Sequence, residues 1–228
     1  MDPERFLAGL AARLGRSAGA PPAPRDGCGV PERHRTHPLR AAGPGARRAC
    51  FGAALRRAGG NLQECADAAA LEQALREHLA AGGGPAVCDA TAALAGLRLE
   101  WLVGEGLATP PSPGDAATWR ARCAAAALGI TLPALGVAET GTLVHALGPD
   151  RARLTSLLPR HHVAVLRESC LVPQLGDAFA ALHGAPEALP SATVLVTGPS
   201  RTSDIENDAT IGVHGPAAVT VLLLLDAP

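Results

Sequence analysis

Three short stretches of this sequence concentrate the residue types that bind anions or transfer protons. They read GPSRTSDIE at 198–206, AETGTL at 138–143 and GVHGP at 212–216. The chain is 47% hydrophobic and only 18% charged, so clusters of this kind stand out. Each of them borders an apolar run typical of a β-strand, and loops at strand ends commonly carry function. They are therefore the first candidates for a site.

The stretch GPSRTSDIE combines an arginine with several hydroxyl groups. We expect Thr202 or Ser203 to cap a short helix, whose amides could share a carboxylate or phosphate with the Arg201 guanidinium. The alternative is that Arg201 pairs with Asp204 or Glu206 and only stiffens the loop. The candidate ligand-binding residues of this stretch are Ser200, Arg201, Thr202 and Asp204.

The stretch AETGTL places a glycine between two threonines after a glutamate. Backbone and hydroxyl donors of Thr140, Gly141 and Thr142 can bind an anion, and Glu139 can serve as a base or nucleophile. The alternative is a hairpin turn that carries an exposed glutamate.

In GVHGP, Gly212 and Gly215 let the backbone turn closely around His214, before Pro216 leads into the last strand. A histidine can act as an acid, a base or a hydrogen-bond donor near neutral pH. The alternative is a tight turn with a purely structural histidine. Glu139 and His214 are thus the candidate catalytic residues, and Gly215 is a candidate ligand-binding residue.

A metal site is not expected. Adjacent residues of a strand point to opposite faces, so His161 and His162 form a poor chelate. The six cysteines show no CxxC pair and no spacing typical of zinc or iron–sulfur sites, and they are interpreted as reduced thiols, mostly in the core. Phosphate-loop, GxGxxG and GxSxG motifs are also absent from the sequence. We therefore predict neither a metal nor a cofactor.

Charge is distributed unevenly along the 228 residues. Residues 1–60 carry 11 Arg and 4 acids, whereas residues 61–228 carry 9 Arg and 17 acids. The basic segment lacks aromatic residues on which bases could stack in series, so no nucleic-acid partner is expected. The opening MDPERFLAGLAARLGR does not resemble a secretory signal, and no apolar run approaches the roughly 20 residues of a membrane span. The expected location is the cytoplasm.

The fold class predicted by the pattern is α/β, a three-layer sheet structure with mostly parallel and some antiparallel pairing. We expect an N-terminal helix and a Pro/Gly/Arg-rich arm over 1–45, followed by one domain over 46–228. The region around AETGTLVHAL is linked too tightly for a parallel crossover and should form a hairpin or bend. Helices are predicted at 46–58, 67–81, 116–128 and 172–183, and strands at 62–65, 85–89, 100–106, 135–138, 143–146, 163–166, 192–197 and 218–225.

Four stretches in this order resemble the LUD-domain family, and within it the lactate-utilisation protein C branch. They are GITLPALGVAETGTLV, RLTSLLPRHHVAVL, VLVTGPSRTSDIE and GVHGP. The opening RFLAGLAARLG is also similar to that branch, so the resemblance covers essentially the whole chain. The family's shared residues correspond here to Glu139, Thr140, Gly141, Thr142, Ser156, His162, Gly198, Pro199, Ser200, Arg201, Thr202, Asp204, Glu206, His214 and Gly215.

The resemblance implies a fold similar to the NagB/RpiA/CoA-transferase-like superfamily. It also implies a role in oxidising L-lactate to pyruvate, alongside an iron–sulfur protein and a cysteine-rich protein. Our leading hypothesis is a cluster-free component or accessory protein of such a system, with a pocket for a small carboxylate or phosphate at the carboxyl ends of the strands. The alternative is a free-standing enzyme of the isomerase or acyl/CoA-transferase type that uses Glu139 and His214.

Overall fold

The structure, a computed structural model, describes residues 3–13, 15, 36–88, 97–104, 107, 116–148, 153–183, 190–203 and 209–226. The chain divides into two compact units, Met1–Thr36 and His37–Pro228. In the first unit the expected opening helix is confirmed as α1, Pro3–Arg13. Most of the predicted arm lies outside the described residues. Its described end contains a short helix, Pro38–Ala41.

The second unit alternates helices with strands. Its described helices are α2 (Pro38–Ala41), α3 (Pro44–Arg57), α4 (Ala68–Gly82), α5 (Trp101–Gly104), α6 (Ala116–Ala125) and α7 (Leu175–His183). Its described strands are β1 (Asn61–Cys65), β2 (Ala86–Cys88), β3 (Leu128–Thr131), β4 (Leu135–Val137), β5 (Thr142–Leu147), β6 (His161–Arg167), β7 (Leu171–Val172), β8 (Ala192–Val196), β9 (Arg201–Ser203), β10 (Ala209–Ile211) and β11 (Ala218–Leu224). Two 3₁₀ turns lie at Arg153–Ser156 and Glu168–Cys170.

The main sheet has five parallel strands in the order β1-β11-β6-β3-β2. Strand β6 is its centre and pairs with β11 on one side and β3 on the other. Its inner residues are fully or almost fully buried, as expected for a parallel sheet that is covered on both faces. The predicted parallel α/β architecture is confirmed by this sheet.

A second sheet of four strands is mixed, in the order β7-β4-β5-β8. Strands β4 and β5 form an antiparallel hairpin, which confirms the prediction for AETGTLVHAL. Strand β7 is parallel to β4, and β8 is antiparallel to β5. The carboxyl ends of β4 and β8 therefore lie at the same edge of this sheet.

Each face of the main sheet has its own apolar core. Helix α4 packs Leu71 and Leu75 against one face, which presents Val163 and Leu222. The helix starts at an Asp67 cap, whose side chain accepts a hydrogen bond from Ala70 N at 2.8 Å, and ends at Gly83 with φ +63°.

The opposite face of the main sheet meets both α3 and the mixed sheet. Phe51 and Leu55 of α3 pack with Leu143 of β5 and Leu166 of β6, and all four are buried. Helix α7 covers the far face of the mixed sheet with Ala178. Within the described residues, no helix has both the length and the apolar character needed to cross a membrane.

One predicted element was wrong, and another was predicted too long. Residues 101–104 are helix α5 rather than a strand, because Leu99 and Leu102 pack into the α4 core and the Arg76 guanidinium lies 3.9 Å from the centroid of the Trp101 ring. The helix predicted over 116–128 ends at Ala125, and β3 starts at Leu128. Gly129 of this strand lies against the Thr155 carbonyl, an approach that no side chain would permit.

Candidate functional site

Two of the predicted loops meet the C-terminal end of α3 through glycines. Gly141 has φ +68°, and a Cβ there would overlap the backbone nitrogen of Leu55. Gly198 has φ +82°, and its Cβ would lie 2.5 Å from the Ala58 carbonyl oxygen. Glycine is therefore needed at both positions for conformation and for close approach to α3. These contacts join TGT and GPSRT to one helix end.

A chain of hydroxyl groups connects the same two loops. The Thr142 hydroxyl lies 2.7 Å from that of Thr140 and 2.8 Å from that of Thr197, the last residue before Gly198. Thr142 is buried, whereas its two partners are exposed. Three hydroxyls have three protons but make only two hydrogen bonds among themselves, so one proton remains available to an acceptor.

The loop GPSRT is also joined to GVHGP by its backbone. Ser200 N donates to Pro216 O at 3.0 Å, and Gly212 N donates to Ser200 O at 2.9 Å. A Cβ on Gly215 would lie only 3.1 Å from the Ser200 Cβ. The structure thus brings all three predicted stretches together through α3 and Ser200.

Thr202 and Ser203 lie in strand β9, and the short helix predicted after them falls on residues 204–206, outside the described residues. Arg201 starts this strand, which pairs antiparallel with β10. Its Nη2 atom lies 2.5 Å from the point that a Cβ of Gly59 would occupy, directly after the C-terminal end of α3. A cation is favoured at this negative end of the helix dipole.

Two acidic residues of this stretch, Asp204 and Glu206, lie outside the described residues. Whether either of them pairs with Arg201 therefore stays a prediction.

Glu139 lies on the β7 side of the hairpin. Its Oε2 accepts a hydrogen bond from Gln174 Nε2 at 3.3 Å, and its Oε1 lies 3.7 Å from His37 Nε2. The side chain is 39% exposed. Within the described part of the chain, no hydrogen bond or ion pair joins Glu139 to His214, so the two candidate catalytic residues do not form a contacting pair.

His37 is a neighbour of Glu139 that the sequence reasoning missed. It caps α2, its Nδ1 accepting a hydrogen bond from Leu39 N at 3.3 Å. The following turn is held by an ion pair of 2.7 Å between Arg40 and Asp177 at the start of α7. The available signal was HPLR, a polar residue before a proline at the first helical position.

His214 is exposed and lines a cleft of about 370 Å³ between residues 157–160 and 211–217. Arg160 lines the same cleft and was also missed from the sequence. It immediately precedes β6, whose first residue pairs in register with Ala218 at the start of β11. Parallel strands bring the residues before them to one edge, and that pairing was the signal that could have found Arg160.

The loops of the site follow strands of the mixed sheet but precede strands of the main sheet. The TGT and GPSRT loops follow the carboxyl ends of β4 and β8 in the mixed sheet. In contrast, GVHGP and Arg160 precede β11 and β6 of the main sheet. The loops therefore gather at the amino edge of the parallel sheet, whereas the usual ligand position in such sheets is the carboxyl edge.

The adjacent histidines point to opposite faces, as predicted. His161 lies 2.9 Å from the Thr220 hydroxyl, and burial lowers its pKa. His162 is fully buried between the two sheets, with Nε2 2.7 Å from the Thr131 hydroxyl. Burial lowers the pKa of His162 well below its usual value, and the nearby His145 imidazole, 5.5 Å away between ring centroids, adds to the effect. His162 is therefore neutral near pH 7.

Within the described ranges, no group of three or more His, Cys, Asp or Glu side chains could hold a metal ion. The cysteines at 50, 65, 88, 123 and 170 are free thiols, and those at 65, 88 and 123 are buried.

Comparison with known proteins identifies the fold and the family of this chain. The fold is that of a solved structure described as a DUF162 family protein from Deinococcus radiodurans, with a TM-score of 0.58 and 21% identity over 80% of this chain and 99% of that one. The LUD domain family model matches residues 50–224, and the chain belongs to this family.

Two relatives carry the name Lactate utilization protein C. The protein from Geobacillus sp. (strain WCH70) is 32% identical over 183 residues, 72% of this chain and 73% of the relative. The protein from Bacillus licheniformis is 33% identical over 172 residues, 70% of this chain and 71% of the relative. This chain is therefore similar to proteins of lactate utilisation over most of both lengths.

Proposed function

We propose that this chain is a component of a system that oxidises L-lactate to pyruvate. The observation that carries the proposal is the similarity to two proteins named Lactate utilization protein C over about 70% of the chain. Oxidation of lactate to pyruvate removes two electrons and two protons. In this proposal, partner iron–sulfur and cysteine-rich proteins receive the electrons, and the present chain contributes no cluster of its own.

The role that we assign to the chain is to bind a small carboxylate or phosphate at the joined loops. Arg201 supplies a permanent positive charge and is exposed at the start of β9. The hydroxyl chain from Thr140 through Thr142 to Thr197 supplies one remaining O–H donor. The Ser200 and Thr202 hydroxyls are further donors, and Gly141 and Gly215 permit the close packing of the loops.

We expect no independent catalytic activity from the isolated chain. Glu139 is engaged by Gln174 and His37, and it has no contact with His214 that would support joint acid–base catalysis. A steady-state assay on phosphosugars and acyl-CoA esters tests this. Turnover that is lost in Glu139→Gln would instead support the isomerase or acyltransferase alternative.

We also propose a superfamily for the α/β domain. We place the domain from about residue 46 onwards with the NagB/RpiA/CoA-transferase-like folds, on the strength of the five-stranded parallel sheet that is covered on both faces. A cytoplasmic location, expected from the sequence, is proposed with it.

The proposed function is tested by deleting the coding sequence in its own host. Growth on L-lactate as the sole carbon source should be lost, while growth on pyruvate should be unchanged. A plasmid copy should restore growth on lactate. Unimpaired growth of the deletion strain on L-lactate would remove the basis of the proposal.

A further inference from the structure

We propose that the cleft between residues 157–160 and 211–217 binds a small carboxylic acid whose apolar body is larger than the methyl group of lactate. Arg160 would hold the carboxylate, and the walls of the cleft would cover the apolar body. Arg201 does not line this cleft, although it pairs in register with Ile211, and the inference does not depend on a role in lactate oxidation.

The walls of the cleft combine polar groups with three large apolar side chains. Leu158 is 39% exposed, Ile211 is 56% exposed and Val213 is 54% exposed, and all three line the cleft. They are three of the seven large apolar side chains that are exposed among the described residues. Large apolar side chains that cluster around a concavity often mark a binding site, because a ligand that covers them removes them from water.

The polar groups of the cleft select an anion. Arg160 has no carboxylate partner within the described part of the chain. A guanidinium binds a carboxylate through two parallel hydrogen bonds, which a single lysine ammonium cannot do. His214 lines the same cleft and offers a second donor. An anion with an apolar body matches both kinds of wall.

Backbone hydrogen bonds fix the segments that form the cleft. Ala217 N donates to Arg160 O at 2.8 Å, which ties its two sides together. Leu158 N donates to Leu154 O at 3.0 Å, and Gly212 N donates to Ser200 O at 2.9 Å. A preformed cleft lowers the ordering cost of binding.

The size of the cleft favours a ligand larger than lactate. Its volume of about 370 Å³ lies within the range of about 300–1,000 Å³ that is typical of pockets for mid-sized ligands. A three-carbon acid would leave most of this space and most of the apolar wall uncovered. A branched or aromatic 2-oxo or 2-hydroxy acid would fill more of both.

The test is a calorimetric titration of the full chain with a graded series of acids: pyruvate, 2-oxobutanoate, 2-oxopentanoate, 4-methyl-2-oxopentanoate and phenylpyruvate. Affinity should rise about fourfold for each buried methylene group. Arg160→Gln should weaken binding of the best ligand about ten- to a hundredfold, since it removes a charged hydrogen-bond donor. Arg153→Gln, an exposed arginine outside the cleft, is the matched control and should have no effect.

The apolar wall is tested by Val213→Thr and Ile211→Thr, which should flatten the dependence of affinity on chain length. Leu195→Thr, which alters a large exposed side chain on β8, should not. Arg201→Gln separates this site from the anion site of the proposed function, because it should leave this series unchanged.

Three results would overturn the inference: no binding of any of these acids at millimolar concentration, equal affinity along the series, or binding that survives Arg160→Gln. Loss of binding in Arg201→Gln alone would place the acid at the site of the proposed function instead. A partner protein that binds wild type but not Ile211→Asp, when no acid binds, would assign the cleft to a protein interface.

Discussion

The Arg201 guanidinium lies over Gly59, where a glycine has φ +89° directly after the C-terminal end of α3. Its Nη2 atom occupies space that a side chain at position 59 would need. The position of Arg201 therefore depends on a residue that is 142 positions away in the sequence. A methyl group at Gly59 would displace this arginine without changing its charge.

The relation between these two residues gives a test of the anion site. Gly59→Ala should weaken binding of lactate, pyruvate, phosphate or sulfate about as much as Arg201→Lys does, roughly tenfold, and Arg201→Ala should weaken it further. Gly83→Ala is the control: Gly83 also has positive φ, 63°, but faces open space. Both glycine variants should lose about 1 kcal/mol of stability from backbone strain. Equal anion affinity in wild type, Gly59→Ala and Arg201→Ala, measured by calorimetry, would make Arg201 a structural residue.

Gly141→Ala should destabilise the fold by about 2 kcal/mol or more. The added methyl group would combine a positive φ with overlap on the Leu55 backbone, which belongs to a helix and cannot shift cheaply. Gly176→Ala in α7 adds the same methyl group in open space and should be neutral or slightly stabilising. Urea unfolding of both variants measures the difference. A tolerated Gly141→Ala would mean that the TGT turn does not pack on α3 as described.

Thr142→Val keeps the shape of the side chain but removes the central hydroxyl of the chain between the two loops. We expect a loss of about 1–2 kcal/mol, because Thr140 and Thr197 each lose one hydrogen bond. Amide hydrogen exchange should also become faster in residues 197–200, since the connection to β5 is weaker. Thr193→Val, on β8 but outside this chain of hydroxyls, should change stability by less than about 0.5 kcal/mol. Similar losses for both variants would show that only β-strand packing is involved.

Stability should fall as the pH drops below about 6.5. Burial lowers the pKa values of His78, His161 and His162, most strongly for His162, so the unfolded chain binds protons that the folded chain does not. Above the pKa of these histidines in the unfolded chain, both states are neutral and the stabilisation is complete. Below that pKa the unfolded chain takes up protons, and the free energy of unfolding falls by up to about 1.4 kcal/mol per pH unit for each proton.

The contribution of His162 to this dependence can be isolated. The double variant His162→Leu with Thr131→Val removes both members of the buried pair, so neither side chain is left without a partner. Unfolding by urea between pH 5 and pH 8 should then show a slope smaller by about one proton. An unchanged slope would mean that His162 does not resist protonation in the folded protein.

Local sequence signals predicted the elements that local interactions hold in place. Helix α4 was found from its Asp67 cap and the terminal glycines, and the β4–β5 hairpin was found from the short connection around Gly141. Helix α5 was missed because it spans four residues and depends on Arg76 from another helix. Strand β3 was hidden by an alanine-rich stretch that favours helix, and only its pairing with β6 settles its conformation.

In the site, too, local features were predicted and features that depend on tertiary contacts were missed. The three motif stretches were recognised from their residue types, since clusters of hydroxyl, glycine and charged residues are visible in the sequence. Local capping preference predicted a short helix after Thr202 or Ser203, and only pairing with β10 shows that both residues belong to a strand. His37 and Arg160 were missed because they reach Glu139 and His214 only through the tertiary fold.

The central claim is that the chain is required for the oxidation of lactate by a larger system. It is tested most directly by measuring L-lactate-dependent reduction of an artificial electron acceptor in extracts of the deletion strain, before and after addition of the purified chain. We predict little activity without the chain, restoration by wild type and weak restoration by Arg201→Ala, while the purified chain alone reduces no acceptor. Full activity in the extract without the chain would contradict the account.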